Sequence, residues 1–122
     1  MNSNFKLRYH VNGRYVRITF FGLVGLEGRL QALRQLVSRF GHLHTPRLLA
    51  DMRYARNRMS PAELRQVAEF ILRDPRLRRA RIAVLRARGL SLSAMSAERL
   101  AARGHNSRHF LVESQALAWL LD

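Results

Sequence analysis

The chain has 122 residues, is 48% hydrophobic, carries a formal net charge of +14 and contains no cysteine. Length and apolar content fit a single domain over 1–122 that buries roughly two thirds of its unfolded surface, and they exclude a disordered chain. The missing thiol excludes disulfides and any Cys-based metal or redox site.

All the positive charge apart from Lys6 is arginine. A field of this size attracts nucleic acid, anionic lipid or an acidic protein, unless the arginines are spread over the whole surface. No apolar run approaches the ~20 residues that span a bilayer. The opening MNSNFKLRYH has no apolar stretch after its charges, as a secretory leader would. The expectation is a cytoplasmic protein, at most peripheral at a membrane.

The first element is FKLRYHV, where Phe5, Leu7, Tyr9 and Val11 alternate with Lys6, Arg8 and His10. Period two predicts a strand with one wet face. Asn12-Gly13 is a type I′ hairpin signal. The return strand runs from Arg14 to about Phe21, with Val16, Ile18 and Phe20 on one face and Tyr15, Arg17 and Thr19 on the other. Next, Leu26, Leu30, Leu33, Val37 and Phe40 recur at helical spacing and stop at Gly41. RLLADM, residues 47–52, predicts a second core strand and RYARNRM a polar connection. Pro61 to about Leu72 predicts a helix with Leu64, Val67, Ala68, Ile71 and Leu72 on one stripe, ended by DPRLRR. RIAVLRA is a third buried strand. GLSLSAMSAERLAARG is a helix with Leu92, Met95 and Leu100 inward. SRHFLV is a last short strand, and ESQALAWLLD a C-terminal helix burying Leu117, Trp119 or Leu120, and Leu121.

Strands alternating with helices imply parallel crossovers, right-handed by rule. The fold class is therefore α/β: a mixed, mostly parallel five-stranded sheet with an N-terminal β-hairpin and four helices. Exposed edge strands invite a homodimer.

RLLADMR, then SPAEL opening a helix, then RIAVL, then FLVESQALAWL resemble the STAS family. The match is to its SpoIIAA-like branch, which is also compared with CRAL-TRIO lipid-binding domains. The resemblance covers nearly the whole chain in element order. It implies a βα superhelix with helices mainly on one side of the sheet, and a non-enzymatic interaction module. In some members a serine at the start of the helix after the third strand is phosphorylated as a switch. Those members carry Asp-Ser-Ser-Gly there; this chain has NRMSPA, with Ser60 near that position.

Ser60 also has a local explanation. Ser60 at N-cap, Pro61 at N1 and Glu63 at N3 make a capping box. Cap and phosphoswitch are compatible, since phosphate at a helix N-terminus near Arg56 and Arg58 is favoured. Asp51 ends an apolar strand, where open α/β sheets place function, and Arg53 follows on the same side. With no partner nucleophile or base marked, both are expected to be structural or partner-facing. The helix after Ser60, or an open sheet face carrying Tyr15, Arg17 and Thr19, would meet the partner.

Arg73, Arg76, Arg78, Arg79 and Arg81 begin the densest basic run, which Arg86 and Arg88 extend. They are the candidates for binding anionic lipid or phosphate backbones. The run lacks interleaved aromatics for base stacking, and a basic helix C-terminus also suits the macrodipole. His42 and His44 form an H-x-H pair, and His105 and His109 stand alone. Zinc would need a third or fourth ligand that is not marked. GLVGLEG lacks the spacing and the lysine of a phosphate loop, and the serines of GLSLSAMSAE do not form a nucleophile elbow. No cofactor or metal is expected.

Overall fold

The computed structural model describes residues 4–10, 14–43, 45–88 and 91–122, with 91–96 as backbone only. Among them the order is β1 (Phe5–His10), β2 (Tyr15–Val24), α1 (Leu26–Phe40), β3 (Arg47–Asn57), α2 (Pro61–Arg73), α3 (Pro75–Arg78), β4 (Arg81–Leu85), α4 (Ser91–Ala102), β5 (Ser107–Phe110) and α5 (Glu113–Leu120). The strands form one sheet in the order β1-β2-β3-β4-β5. β1 is antiparallel to β2, and every later pair is parallel. This is the mixed α/β sheet that the alternation of elements predicts. The hairpin register runs from Phe5↔Phe20 to His10↔Tyr15. Val11, Asn12 and Gly13 lie outside the described residues, as do His44 and the side chains of Leu92 and Met95.

One face of the sheet carries the larger core. Val16, Ile18 and Phe20 of β2, Leu48 and Met52 of β3, and Ile82 and Val84 of β4 meet α1, α2 and α4 there. Leu33 and Leu36, then Leu64, Val67 and Ile71, then Leu100 supply the helical side. Each fully buried Leu, Ile or Val contributes about 1.5–3 kcal/mol relative to exposure. DPRLRR does more than end α2. Asp74 accepts hydrogen bonds at Oδ1 from the backbone N–H groups of Arg76 (2.9 Å) and Leu77 (3.2 Å), starting the short α3 behind Pro75. Leu77 is thereby turned into the core.

The other face is not open, which corrects the expectation for Tyr15, Arg17 and Thr19. α5 lies across it, and Ala116 and Leu120 pack with Tyr15, Leu49, Ala83 and Leu85 in a second cluster. Leu117, Trp119 and Leu121 flank that cluster half-buried. The physical reason is in the central strands. Leu48-Leu49 and the run Ile82 to Leu85 are apolar on both faces, the mark of a doubly covered parallel strand. The wet alternation of β1, with Lys6 and Arg8 exposed, describes only the sheet's edge.

Two strands are longer than the sequence predicts. β2 continues to Val24, and β3 continues through RYARN to Asn57, the stretch expected to be a connection. The register steps from Thr19↔Asp51 to Phe21↔Tyr54, so β3 carries one extra residue against β2. This bulge resets the pleat. Met52 and Ala55, three apart, both enter the larger core, whereas Tyr54 stands out in solvent. The polar look of the segment therefore hid a strand whose inward positions are out of phase with period two.

Candidate functional site

Four charges meet beside α5, next to the bulge. Asp51 is 1% exposed. Arg53 binds it twice, through Nε to Oδ1 (3.0 Å) and Nη2 to Oδ2 (2.8 Å), and its backbone N–H also donates to Oδ1 (3.1 Å). Arg17 Nη2 donates to Asp51 Oδ2 at 2.8 Å. Glu113, at the head of α5, closes the group. It accepts from Arg17 Nη2 at 2.8 Å and Nη1 at 3.3 Å, and from Arg53 Nη2 at 2.9 Å.

The electrostatics follow from this geometry. Burial pushes the Asp51 carboxyl up, but the hydrogen bonds from Arg53 and Arg17 outweigh it and leave the pKa below its ordinary value. The Arg17 guanidinium holds Glu113 below its ordinary value as well. Arg17 is raised, chiefly by its bond to Glu113, and Arg53 by its bond to Asp51. Two carboxylates saturated by guanidinium donors are poor proton acceptors at neutral pH. What this group can do is fix α5 to the sheet and fix Arg17 and Arg53 in place. Asp51 is too buried to face a partner, which corrects that part of the expectation. Arg53 keeps an exposed flank, with its guanidinium 5.3 Å from the centre of the Tyr54 ring.

Beyond this cluster β2 and β3 overhang the sheet. β4 pairs with β3 only as far as Asp51↔Leu85, whereas β2 and β3 stay paired to Val24↔Asn57. Among the described residues, β3 therefore has no strand on its β4 side past Asp51. Gly22 sits at φ +72° in the overhang, a backbone that a side chain would strain. Phe21 (43% exposed), Leu23 (51%) and Tyr54 (61%) stand in solvent on this ribbon, Phe21 opposite Tyr54 in register. Leu111 and Val112, just before α5, are also exposed at the carboxyl ends of the strands. Arg56 and Arg58 follow Tyr54 in the chain and are exposed.

Ser60 opens α2 at this same end. Its Oγ accepts from the Glu63 backbone N–H at 3.2 Å, and the Ser60 N–H donates to Glu63 Oε1 at 3.0 Å. The capping box is formed, and Ser60 remains exposed.

The basic run disperses. Arg73 pairs with Glu69 (3.8 Å), Arg76 with Asp74 (3.2 Å), and Arg78 donates to the Leu72 carbonyl (3.3 Å). Arg79 is exposed on the turn after α3. Arg81 points back to α5: it donates twice to the Trp119 carbonyl, at 3.0 and 2.6 Å, and lies 3.9 Å from the Trp119 ring centre. Arg81 is thus occupied in holding α5. Of the histidines, His42 is exposed, and burial lowers the pKa of His105, whose Nε2 lies 2.9 Å from the Leu77 carbonyl oxygen. His109 Nε2 is 3.3 Å from Glu98. Among the described residues no three His, Asp or Glu side chains converge to hold a metal ion. No helix is long and apolar enough to cross a membrane, again among the described residues.

The chain matches no family model and no curated protein. Among solved structures it matches an uncharacterized protein of the DUF3478 family from Shewanella loihica, described as having a SpoIIAA-like fold. The match covers 98% of both chains with a TM-score of 0.64, at 18% sequence identity. The fold is SpoIIAA-like. The resemblance drawn from RLLADMR, SPAEL and FLVESQALAWL is therefore right about architecture. Within the SpoIIAA-like frame Ser60 heads the helix after the third strand, as the sequence predicts.

Sequence reasoning missed Glu113 and the apolar overhang. FLVES offered a signal for Glu113, an acidic residue in the first turn of a helix, but its partners Arg17 and Arg53 are 96 and 60 residues away.

Proposed function

We propose that this SpoIIAA-like chain is a non-catalytic regulatory module that docks a protein partner through the overhanging ends of β2 and β3. The observation that carries the reading is the group of Phe21, Leu23 and Tyr54, exposed together on the overhanging ribbon of β2 and β3. Large apolar side chains grouped in water mark an interaction surface. Arg53, Arg56 and Arg58 beside them favour an acidic partner. The unpaired side of β3 past Asp51 supports a protein rather than a bilayer, because a partner strand can satisfy backbone N–H and C=O groups and lipid cannot. Ser60, exposed at the same end, is the position where a phosphate would change the charge of this surface. The saturated state of Asp51 and Glu113 supports binding without chemistry.

The test is affinity capture with the tagged chain, washed at low and then high salt. It is repeated with Phe21→Ser/Tyr54→Ser and with Arg65→Ala on the exposed side of α2. A protein retained at high salt by the wild type and by Arg65→Ala, and lost by the double variant, supports the reading. Retention by the double variant overturns it. So does binding only to vesicles of anionic lipid, or to nucleic acid that leaves with salt. A second copy of the chain as the captured protein would make the surface a homodimer interface.

A further inference from the structure

α2 and α4 are neighbours over the larger core, and a similar spacing of residue types recurs on both. Arg65, Ala68 and Glu69 stand at i, i+3 and i+4 on α2; Arg99, Ala102 and Arg103 do so at the end of α4. Residues so spaced share one side of a helix. The two sets meet in a groove of about 250 Å³, where the two alanines leave room between the four long side chains. That is just below the roughly 300–1,000 Å³ of sites for drug-sized ligands, so the groove suits a smaller one.

Three guanidinium groups and one carboxylate line this groove. Arg103 Nη1 donates to Glu69 Oε2, and that bond holds the Glu69 carboxyl below its ordinary value, so it is charged at neutral pH. Two positive charges are therefore left in excess. Among the described residues, Arg65 and Arg99 have no hydrogen-bond or ion-pair partner. The Arg99 Nε is moreover shut off from solvent with no acceptor in reach. A charged donor left so is costly. The negative end of the α4 dipole favours cations in this last turn, but it gives the Arg99 Nε no acceptor.

We propose that the groove between α2 and α4 binds a phosphomonoester, its phosphate oxygens on Arg65, Arg99 and Arg103. Such a group carries about −1.5 to −2 charge at pH 7 and three strong acceptor oxygens. It matches both the excess charge and the number of guanidinium groups, whereas a carboxylate would answer one guanidinium fork. Arg99 meets it by a small turn of its side chain toward the groove, which brings Nε to an acceptor. The inference is independent of the docking surface at the overhang, with which the groove shares no residue. The same phosphate chemistry comes from a small soluble phosphomonoester or from the headgroup of phosphatidic acid.

The experiment is an amide NMR titration of the full chain with sodium phosphate and glycerol phosphate, against sodium chloride at equal ionic strength. Saturable shifts at Ala68, Glu69, Arg99 and Ala102, absent with chloride, are expected. Arg99→Met and Arg65→Ala should each weaken binding by about tenfold, the loss of one charge-assisted hydrogen bond. Arg65 is exposed, so its variant decides the matter even if Arg99→Met fails to fold. Glu69→Gln should tighten binding, because it removes the carboxylate of the groove and releases Arg103. Sedimentation with phosphatidylcholine vesicles only when they contain phosphatidic acid, lost in Arg65→Ala, makes this a headgroup site. Saturable binding of glycerol phosphate without sedimentation makes it a site for a soluble phosphomonoester. Shifts that do not saturate, that chloride reproduces, or that persist unchanged in Arg65→Ala overturn the proposal.

Discussion

Three helices rest on one face of the sheet through a continuous apolar layer, whereas α5 rests on the other through a few apolar side chains and a group of paired charges. The first kind of contact is non-directional and shared among many residues, so no single polar atom decides it. The second is directional. Glu113 reaches two arginines that are fixed by one buried carboxylate, so its grip depends on the charge and position of Asp51. α5 should therefore detach under conditions that leave α1 and α2 packed.

The largest effect should come from the apolar face. Leu64→Ala, at a position 1% exposed, should cost about 2–5 kcal/mol in denaturant unfolding and lower every probe together. Asp51→Asn should come next. It leaves Arg17 and Arg53 short of a counter-charge, but both have some access to water, so the loss should be about 2 kcal/mol, below the cost of a fully buried broken pair. Hydrogen exchange should show α5 losing protection while α2 keeps it. Equal loss in both would mean the two faces do not separate.

Acid provides the same test without mutation. The pKa values of Asp51 and Glu113 are depressed in the fold, so their contribution is complete above the ordinary carboxylate value of about 4 and is lost as pH falls through the folded values. Stability should vary little on their account from pH 7 to 5 and fall below about 4. Trp119, the one tryptophan, sits on α5 beside Phe110 and Arg81, so its fluorescence reports this helix. Its change should precede loss of helical circular dichroism, and coincident transitions would break the comparison. The smallest effect should be Ser60→Ala, about 1 kcal/mol from loss of the α2 cap, with Ser60→Asp close to wild type because aspartate caps equally well. A change in partner capture by Ser60→Asp at unchanged stability would mark Ser60 as regulatory.

The order of elements, the α1 and α2 stripes and the capping box could be read in the sequence because each rests on neighbours within a few residues. The covered second face could be read only in part. Leu48-Leu49 and Ile82 to Leu85 are apolar in succession, which already calls for cover on both sides. The β3 bulge was hidden because it shifts the phase by one residue inside a segment rich in arginine. The ion cluster was hidden because Arg17, Asp51 and Glu113 meet only through the lateral order of the strands. Asp51 and Arg53 carried a visible hint in their i, i+2 spacing.

The lateral order of the sheet is also its order along the chain, β1 to β5 without exchange. Each strand that emerges during synthesis finds its neighbour already made at the growing edge, so assembly can proceed vectorially from the N-terminal hairpin. No strand needs to be inserted between two others. Among the long returns in this scheme is Glu113 reaching back to Arg17. That contact can form only after β5 has emerged, which makes it a natural marker of completed folding.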